Sequence, residues 1–493
     1  MLLISAICLR FLSFLCLAFS ILGLLSPLRA EEPPVFNRVV QIDPTIKHGT
    51  WKGWGTSLCW DGNVFGNRDD LADLLFTTKI VPFEGQKLPG LGMNIVRYNA
   101  GACSWNEVNG KSMGVSKIIF PFRHIQGFWL DGKNSDPHSS SWNWKADKKQ
   151  RSMLKKAHDR GANYFELFSN SPMWWMCKNL NPSGSADGKG DNLAPEFKEA
   201  FATYLATIAK QSKDDWGISF TSVEPFNEPS SDYWKANGKQ EGCHFSRSLQ
   251  AEMVPLLRKR LDALGLKDLP IAASDETSYN SALSTWESFG PAVKALVNEV
   301  NVHGYQYTGG KRAVLYQLVS NDGKALKNSE YGDKDESGLL LAHCLDLDFC
   351  CLHPSAWCYW QPFDYSGWGF LRTNMARSKF LGINPKYFVV AQFTRHIREG
   401  MTMLKSDDTA TVAAFDSKNH HLVLVIRADR GGKKLINLDK FTSVGGPVTR
   451  WITEPKAASR YEIHQDVKLV GKRLELLLPP DSVETLEIEN VTL

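Results

Sequence analysis

Between about residue 51 and residue 364 the chain alternates. Short runs rich in β-branched and aromatic side chains are followed by longer stretches whose apolar positions recur every three or four residues. Eight runs read as strands: Trp54–Leu58, Asn94–Asn99, Tyr164–Asn170, Ser219–Asn227, Ile271–Asp275, Glu299–Tyr305, Ala325–Glu330 and Ala356–Pro362. Lys148–Arg160, Ala194–Ser212, Leu249–Leu264 and Ala292–Val297 carry the helical spacing between them. Eight strand–helix repeats predict an α/β fold, a (β/α)8 TIM barrel. After about residue 399 the texture changes to strand-like runs with polar turns: Thr409–Phe415, His421–Arg427, Pro447–Ile452 and Glu484–Val491. Residues 415–421 read as the turn of a hairpin. This region predicts a smaller β-sandwich side domain. Val39–Ile42 is also strand-like, so the expected division is a barrel over 51–398 and a side domain built from 31–50 plus 399–493.

The first thirty residues depart from both patterns. Arg10 precedes an apolar run from Phe11 to Leu25, and a small residue, Ala30, stands before a polar Glu31-Glu32. This order predicts a signal peptide over 1–30 and a secreted, extracellular protein. The run is shorter than the roughly 20 residues of a spanning helix, so no stable membrane association is expected after cleavage. Eight of the ten cysteines lie beyond it, and an oxidising compartment permits a disulfide bond among them. Cys344, Cys350, Cys351 and Cys358 cluster with His343 and His353, but without the paired CxxC spacing of a zinc site. Asn490-Val491-Thr492 is a sequon for a glycoprotein.

Composition narrows the function classes. The 493 residues are 43% apolar and 22% charged, which excludes whole-chain disorder. The net charge of +4 falls to +2 once Arg10 and Arg29 leave with the leader, too little for a nucleic-acid partner. Sixteen tryptophans suit either a large core or a cleft in which indole faces cover sugar rings.

The carboxylates carry the chemistry. Val223-Glu224-Pro225-Phe226-Asn227-Glu228-Pro229 ends the fourth predicted strand and puts Glu228 at the barrel mouth. Glu330 ends the seventh, across that mouth. Glycoside hydrolysis needs such a pair: one acid to protonate the leaving oxygen, one carboxylate for the anomeric carbon. The acid then needs a raised pKa and its partner a low one. Asn227 is placed to donate to a sugar hydroxyl, and Tyr305 to hydrogen-bond Glu330. His303 fits either that site or a satisfied core position. Arg97 fits either a carboxylate partner in the site or an ordinary barrel ion pair. Asp61 either grips a hydroxyl or caps a turn. Trp360 ends the eighth strand and can floor a sugar subsite. Trp174 and Trp175 follow the third, one for packing and one for sugar. Glu166, Glu224, Asp275 and Glu276 are rival carboxylates ranked below the pair, with Glu224 expected below the active layer. The long polar loop 101–141, with Trp105 and Trp129, is placed to wall a cleft.

These segments resemble glycoside hydrolase family 30, most closely its endo-β-1,6-galactanases. The resemblance rests on Gly53-Trp54-Gly55-Thr56-Ser57, Arg97-Tyr98-Asn99, Phe165–Met176, Glu224–Pro229 and Ser329-Glu330-Tyr331-Gly332-Asp333. It implies a retaining hydrolase with Glu228 as acid/base and Glu330 as nucleophile. Asp61, Trp174, Asn227, Tyr305 and Trp360 would line the central subsite. It implies cleavage within the β-1,6-galactan chains of arabinogalactan, with no metal or organic cofactor. A monomer is expected. The alternatives are another specificity of the family (β-1,6-glucanase, glucosylceramidase or xylanase) and a carbohydrate-binding protein without catalysis.

Overall fold

A computed structural model describes residues 38–493. The predicted leader lies outside the described residues. Eight parallel strands form the central sheet: β1 (Gly53–Ser57), β2 (Ile95–Asn99), β3 (Tyr164–Phe168), β4 (Ser222–Glu224), β5 (Ala272–Glu276), β6 (Glu299–His303), β7 (Ala325–Tyr331) and β8 (Ala356–Tyr359). Neighbours in sequence are neighbours in the sheet, and β8 pairs with β1. A bridge between Val223 and Ile271 joins β4 to β5, so the cylinder closes. All eight strands coincide with the runs expected from the sequence, although β4 is shorter because Pro225 removes a ladder donor.

Nearly every strand residue is buried, because helices cover one face and the lumen the other. Helices supply the outer cover. Lys148–Asp159 buries Gln150, Met153, Leu154 and Ala157, one stripe of the helix. Arg247–Ala263 starts at Ser246, whose hydroxyl accepts from the Leu249 N–H.

The lumen of the barrel is unusual in what fills it. Its floor is small and apolar: Ile95, Ala356 and Cys358 form a separate cluster around Gly55. The next layer up is charged, with Arg97, Glu166 and Lys327 wholly buried. Barrel interiors ordinarily hold branched aliphatic side chains there.

The second region is a ten-stranded sheet folded around its own apolar core, which includes Val40, Ile42, Leu424, Ile436, Leu474 and Leu486. Arg38–Thr50 lies within it, antiparallel to Thr402–Ser406 and parallel to Gly432–Asn437. The hairpin expected at 415–421 is present, with Asp416 accepting the N–H groups of Lys418 and Asn419. Two features carry no clear signal in the sequence. A three-stranded insertion, Phe363–Asp364, Leu371–Asn374 and Lys379–Ile383, follows β8. The helix Lys386–Thr394, apolar almost all round, is clamped between barrel and sheet.

The expected disulfides are absent. All eight described cysteines are free thiols. Most sit in separate packed positions: Cys103 donates to Glu241 and Cys59 accepts from Asn170. The Cys/His cluster does not assemble either. His353 stacks on His48 at 3.8 Å, away from any set of metal-ligand atoms among the described residues. No described helix is long and apolar enough to cross a membrane.

Gly55 tests the packing of the lumen floor. A Cβ there would lie 2.6 Å from the Ile95 Cβ and 2.7 Å from the Cys358 Sγ. Gly55→Ala is expected to cost about 1–3 kcal/mol, read as a lower denaturation midpoint. An unchanged midpoint would mean the floor is looser than described.

Candidate active site

The site is built upward from Arg97 on β2. Its guanidinium is fully buried and reaches three carboxylates. Nε donates to Glu166 at 2.8 Å, Nη1 to Glu330 at 2.9 Å, and Nη2 to Asp275. Glu166 is shared with Lys327 at 2.6 Å. Burial opposes every one of these charges. Lys327 and Arg97 nevertheless hold Glu166 below its usual range, and Arg97 and His303 do the same for Asp275.

Two irregular strands bring the acids inward. On a regular β7, Lys327 and Ser329 would face the lumen and Glu330 the helices. The register slips between Asn328 and Glu330, so Ser329 bonds Asp275 while Glu330 also points inward to Arg97. On β5 the register slips between Ser274 and Glu276, and Asp275 takes a left-handed φ of 56°.

Glu228 lies just beyond β4, also left-handed at φ 47°. Its backbone is held at both ends: its N–H donates to the Asp275 carbonyl at 2.8 Å, and its own carbonyl accepts from the Trp234 indole at 2.9 Å. Such a backbone persists only where its surroundings over-determine it. Its carboxyl accepts from the Tyr233 hydroxyl on Oε2 and meets His303 Nδ1 at 3.1 Å on Oε1.

His303 is the hinge of the pair. Its Nδ1 is 3.1 Å from Glu228 and 3.5 Å from Glu330, and its Nε2 is 3.0 Å from Asp275. Burial alone would discharge it; Asp275 and Glu330 push its pKa up to about 10 instead. One ligand atom each from Glu228, His303 and Glu330 falls within a 4.8 Å circle. These three are also the one cluster of metal-ligand side chains found among the described residues. Tyr305 donates to Glu330 Oε1 at 2.9 Å, as expected. Glu330 is not held low, however. Burial pushes it up to about 7 against the pull of His303 and Arg97.

Above these groups opens a cleft of about 510 Å³. Asn227, Glu228, Tyr305, Glu330 and Trp360 line it, as the sequence predicts. The Asn227 Oδ1 has no protein partner. Loop 101–141 contributes Ile118 and Arg123 to one wall. Four expectations change. Arg97 and His303 are buried beneath the cleft and act on carboxylates rather than on a ligand. Asp61 is also buried, and its carboxylate accepts the Phe363 N–H at 2.9 Å, clamping the loop after β8. Trp174 is packed away with its indole donating to Ser104 at 2.7 Å. Trp175 is likewise buried, donating to the Trp129 carbonyl. The indoles that do line the cleft include Trp60 and Trp368, neither singled out from the sequence. Trp60 meets Trp360 edge-on at 5.3 Å. Trp368 lies against Gly332, where a Cβ would sit 2.6 Å from the ring. Tyr233 was also missed: it falls five residues after Glu228 in a loop with no periodicity to mark it.

Of the rival carboxylates, Glu166 and Asp275 anchor Arg97. Glu276 is tied to Ser230 and Thr285, and Glu224 is wholly buried.

A family model described as O-Glycosyl hydrolase family 30 matches residues 37–322. An endo-β-1,6-galactanase from Hypocrea rufa is 48% identical over 457 residues, spanning 92% of this chain and 95% of that protein. The chain belongs to glycoside hydrolase family 30. It is a glycoside hydrolase. Solved structures agree on the fold. The catalytic domain of a family 30 xylanase C from Talaromyces cellulolyticus superposes with a TM-score of 0.68 at 17% identity, covering 92% of this chain and all of that one. A conserved exported protein from Bacteroides fragilis gives 0.74 at 18%, covering 91% and 100%.

Arg97→Met should destabilise this family 30 fold by about 3–5 kcal/mol, because it strands buried carboxylates. Glu166 and Asp275 have depressed pKa values, so their contribution is present above about pH 4 and lost as pH falls. The deficit measured by chemical denaturation should therefore be largest at neutral pH and shrink below pH 4. A pH-independent deficit would point to lost packing alone.

Proposed function

We propose that this hydrolase is a secreted retaining endo-β-1,6-galactanase, with Glu228 as acid/base and Glu330 as nucleophile. The specificity rests on the 48% identical Hypocrea rufa enzyme. The mechanism rests on one observation: oxygens of the two carboxyls approach within 4.8 Å. Inverting enzymes hold their carboxyls about 6.5–9.5 Å apart to admit a water, retaining ones about 5–5.5 Å.

The charge count supports the roles. Arg97, Lys327 and His303 supply three positive charges inside the barrel. Glu166, Asp275 and Glu330 balance them when all three are ionised, the state that a nucleophilic Glu330 requires. Tyr233 and His303 face the Glu228 oxygens and orient the carboxyl at the cleft. Glu228 gives a proton to the glycosidic oxygen as Glu330 attacks the anomeric carbon. The C1–O bond to the leaving sugar breaks and a glycosyl–Glu330 ester forms. Glu228, now ionised, takes a proton from water, whose oxygen displaces Glu330 with net retention. Tyr305 and Arg97 hold the Glu330 oxygens in line for both displacements.

The decisive assay compares de-arabinosylated arabinogalactan with β-1,6-glucan and xylan. Galacto-oligomers released from the first alone, initially with the β-anomer, are the expected outcome. Products from glucan or xylan would move the specificity elsewhere in the family, and initial α-anomers would remove the retaining mechanism. Glu330→Gln should lose hydrolysis by several orders of magnitude while still binding galactan; undiminished turnover would remove the nucleophile assignment. Burial pushes the Glu330 carboxyl up to about 7 and a nucleophile acts ionised, so kcat/KM should fall as pH drops below about 7. A profile flat from pH 7 down to pH 4 would contradict this. Tyr233→Phe, which keeps the ring and removes the donor to Glu228, should lower kcat at an unchanged melting temperature.

A further inference from the structure

A continuous series of aromatic and guanidinium contacts runs out of the cleft to the protein surface. Trp360 meets Trp60 at 5.3 Å. The Arg123 guanidinium lies over Trp60 at 3.9 Å and within 5.8 Å of Phe122. Phe122 stacks on Phe120 at 5.5 Å with ring planes only 9° apart. Phe120 is 53% exposed, so one face is covered by Phe122 and the other is open to water. The Asn63 amide holds this turn to the barrel by donating to the Phe122 carbonyl at 2.9 Å. Phe122 packs against the barrel core, but Phe120 stands on it with its outer side left uncovered.

We propose that this strip is a glycan-binding extension of the cleft, with the open face of Phe120 as its outermost platform. Its occupant is the part of the polysaccharide chain on the glycone side of the scissile bond. The side follows from the site. The leaving sugar departs toward Glu228 at the end of β4, whereas Trp360 and Trp60 follow β8 and β1, across the barrel. The chemistry of the ligand fits. Galactopyranose has an axial O4, which leaves the C3, C4 and C5 hydrogens together on one apolar face. A 1,6-linkage continues that face through the C6 methylene. Aromatic rings recognise such faces by contact area rather than by hydrogen bonds. This inference rests on the galactanase reading for the identity of the sugar, but not for the existence of the strip.

The test is a chain-length series. KM and kcat are measured on galacto-oligosaccharides from short to long for the wild type, Phe120→Ser and Phe120→Trp. One lost stacking contact predicts a KM about three- to tenfold higher on long chains for Phe120→Ser, with kcat unaltered and the defect fading as the chain shortens. Phe120→Trp should retain wild-type KM. Binding of long galactan to Glu330→Gln should weaken by the same factor when Phe120→Ser is added. A defect equal at every chain length, or none on the longest, would overturn the proposal. Should the wild type leave galactan uncut and cut another β-glycan, the specificity reading falls, and the same series on that glycan decides the strip.

Discussion

Arg97 sits where no water reaches it. Its charge persists because Glu166, Asp275 and Glu330 each accept from it, and theirs persist because it donates. A buried ion cluster of this kind contributes little net stability, since desolvation consumes most of the Coulomb gain. What it does supply is position. With three acceptors fanned around one planar guanidinium, none can rotate away without stranding a charge in the barrel. The orientation of Glu330 is thus set from below, by groups buried beneath the cleft.

His303 extends the same constraint to the second carboxyl. One nitrogen lies 3.0 Å from the anchored Asp275, and the other spans Glu228 and Glu330. The two reactive groups, though carried by opposite strands, are referred to one rigid frame. The left-handed backbones at Glu228 and Asp275 belong to it too, since the Glu228 N–H donates to the Asp275 carbonyl. Placing an acid and a nucleophile within a few tenths of an ångström is worth several kcal/mol of barrier, and a frame that cannot relax is how it is kept.

The eight strands are legible in the sequence because short runs rich in β-branched and aromatic residues alternate with stretches of helical spacing. Glu228 and Glu330 are legible because each ends a predicted strand, the fourth and the seventh, and Pro229 stops the ladder beside the first. The roles of Asp275 and His303 are not, because they depend on register slips in β5 and β7, and a slip leaves no mark on strict alternation. Trp174 and Trp175 mislead for a related reason. Abundant indoles suit a sugar cleft, but a barrel this size also needs bulky filler, and these two pack with Trp129, Phe197 and Ser104. Which indole faces solvent is decided by loop paths, and loops carry no periodicity. The disulfide expectation fails because cellular compartment permits pairing without bringing any two thiols together.

The division between strands and loops explains how this chain shares its architecture with a xylanase at 17% identity. The charged frame occupies strand positions, where one substitution disturbs several partners at once, so it can be retained only as a unit. The cleft walls are different. Trp60 stands after β1, Ile118 and Arg123 on the loop after β2, Tyr233 on the loop after β4, and Trp368 on the insertion after β8. Apart from Tyr233, which bonds Glu228, each stands clear of Arg97 and His303. A fold arranged this way separates the reaction from the choice of sugar, so substrate preference in such an enzyme has to be read from its loops.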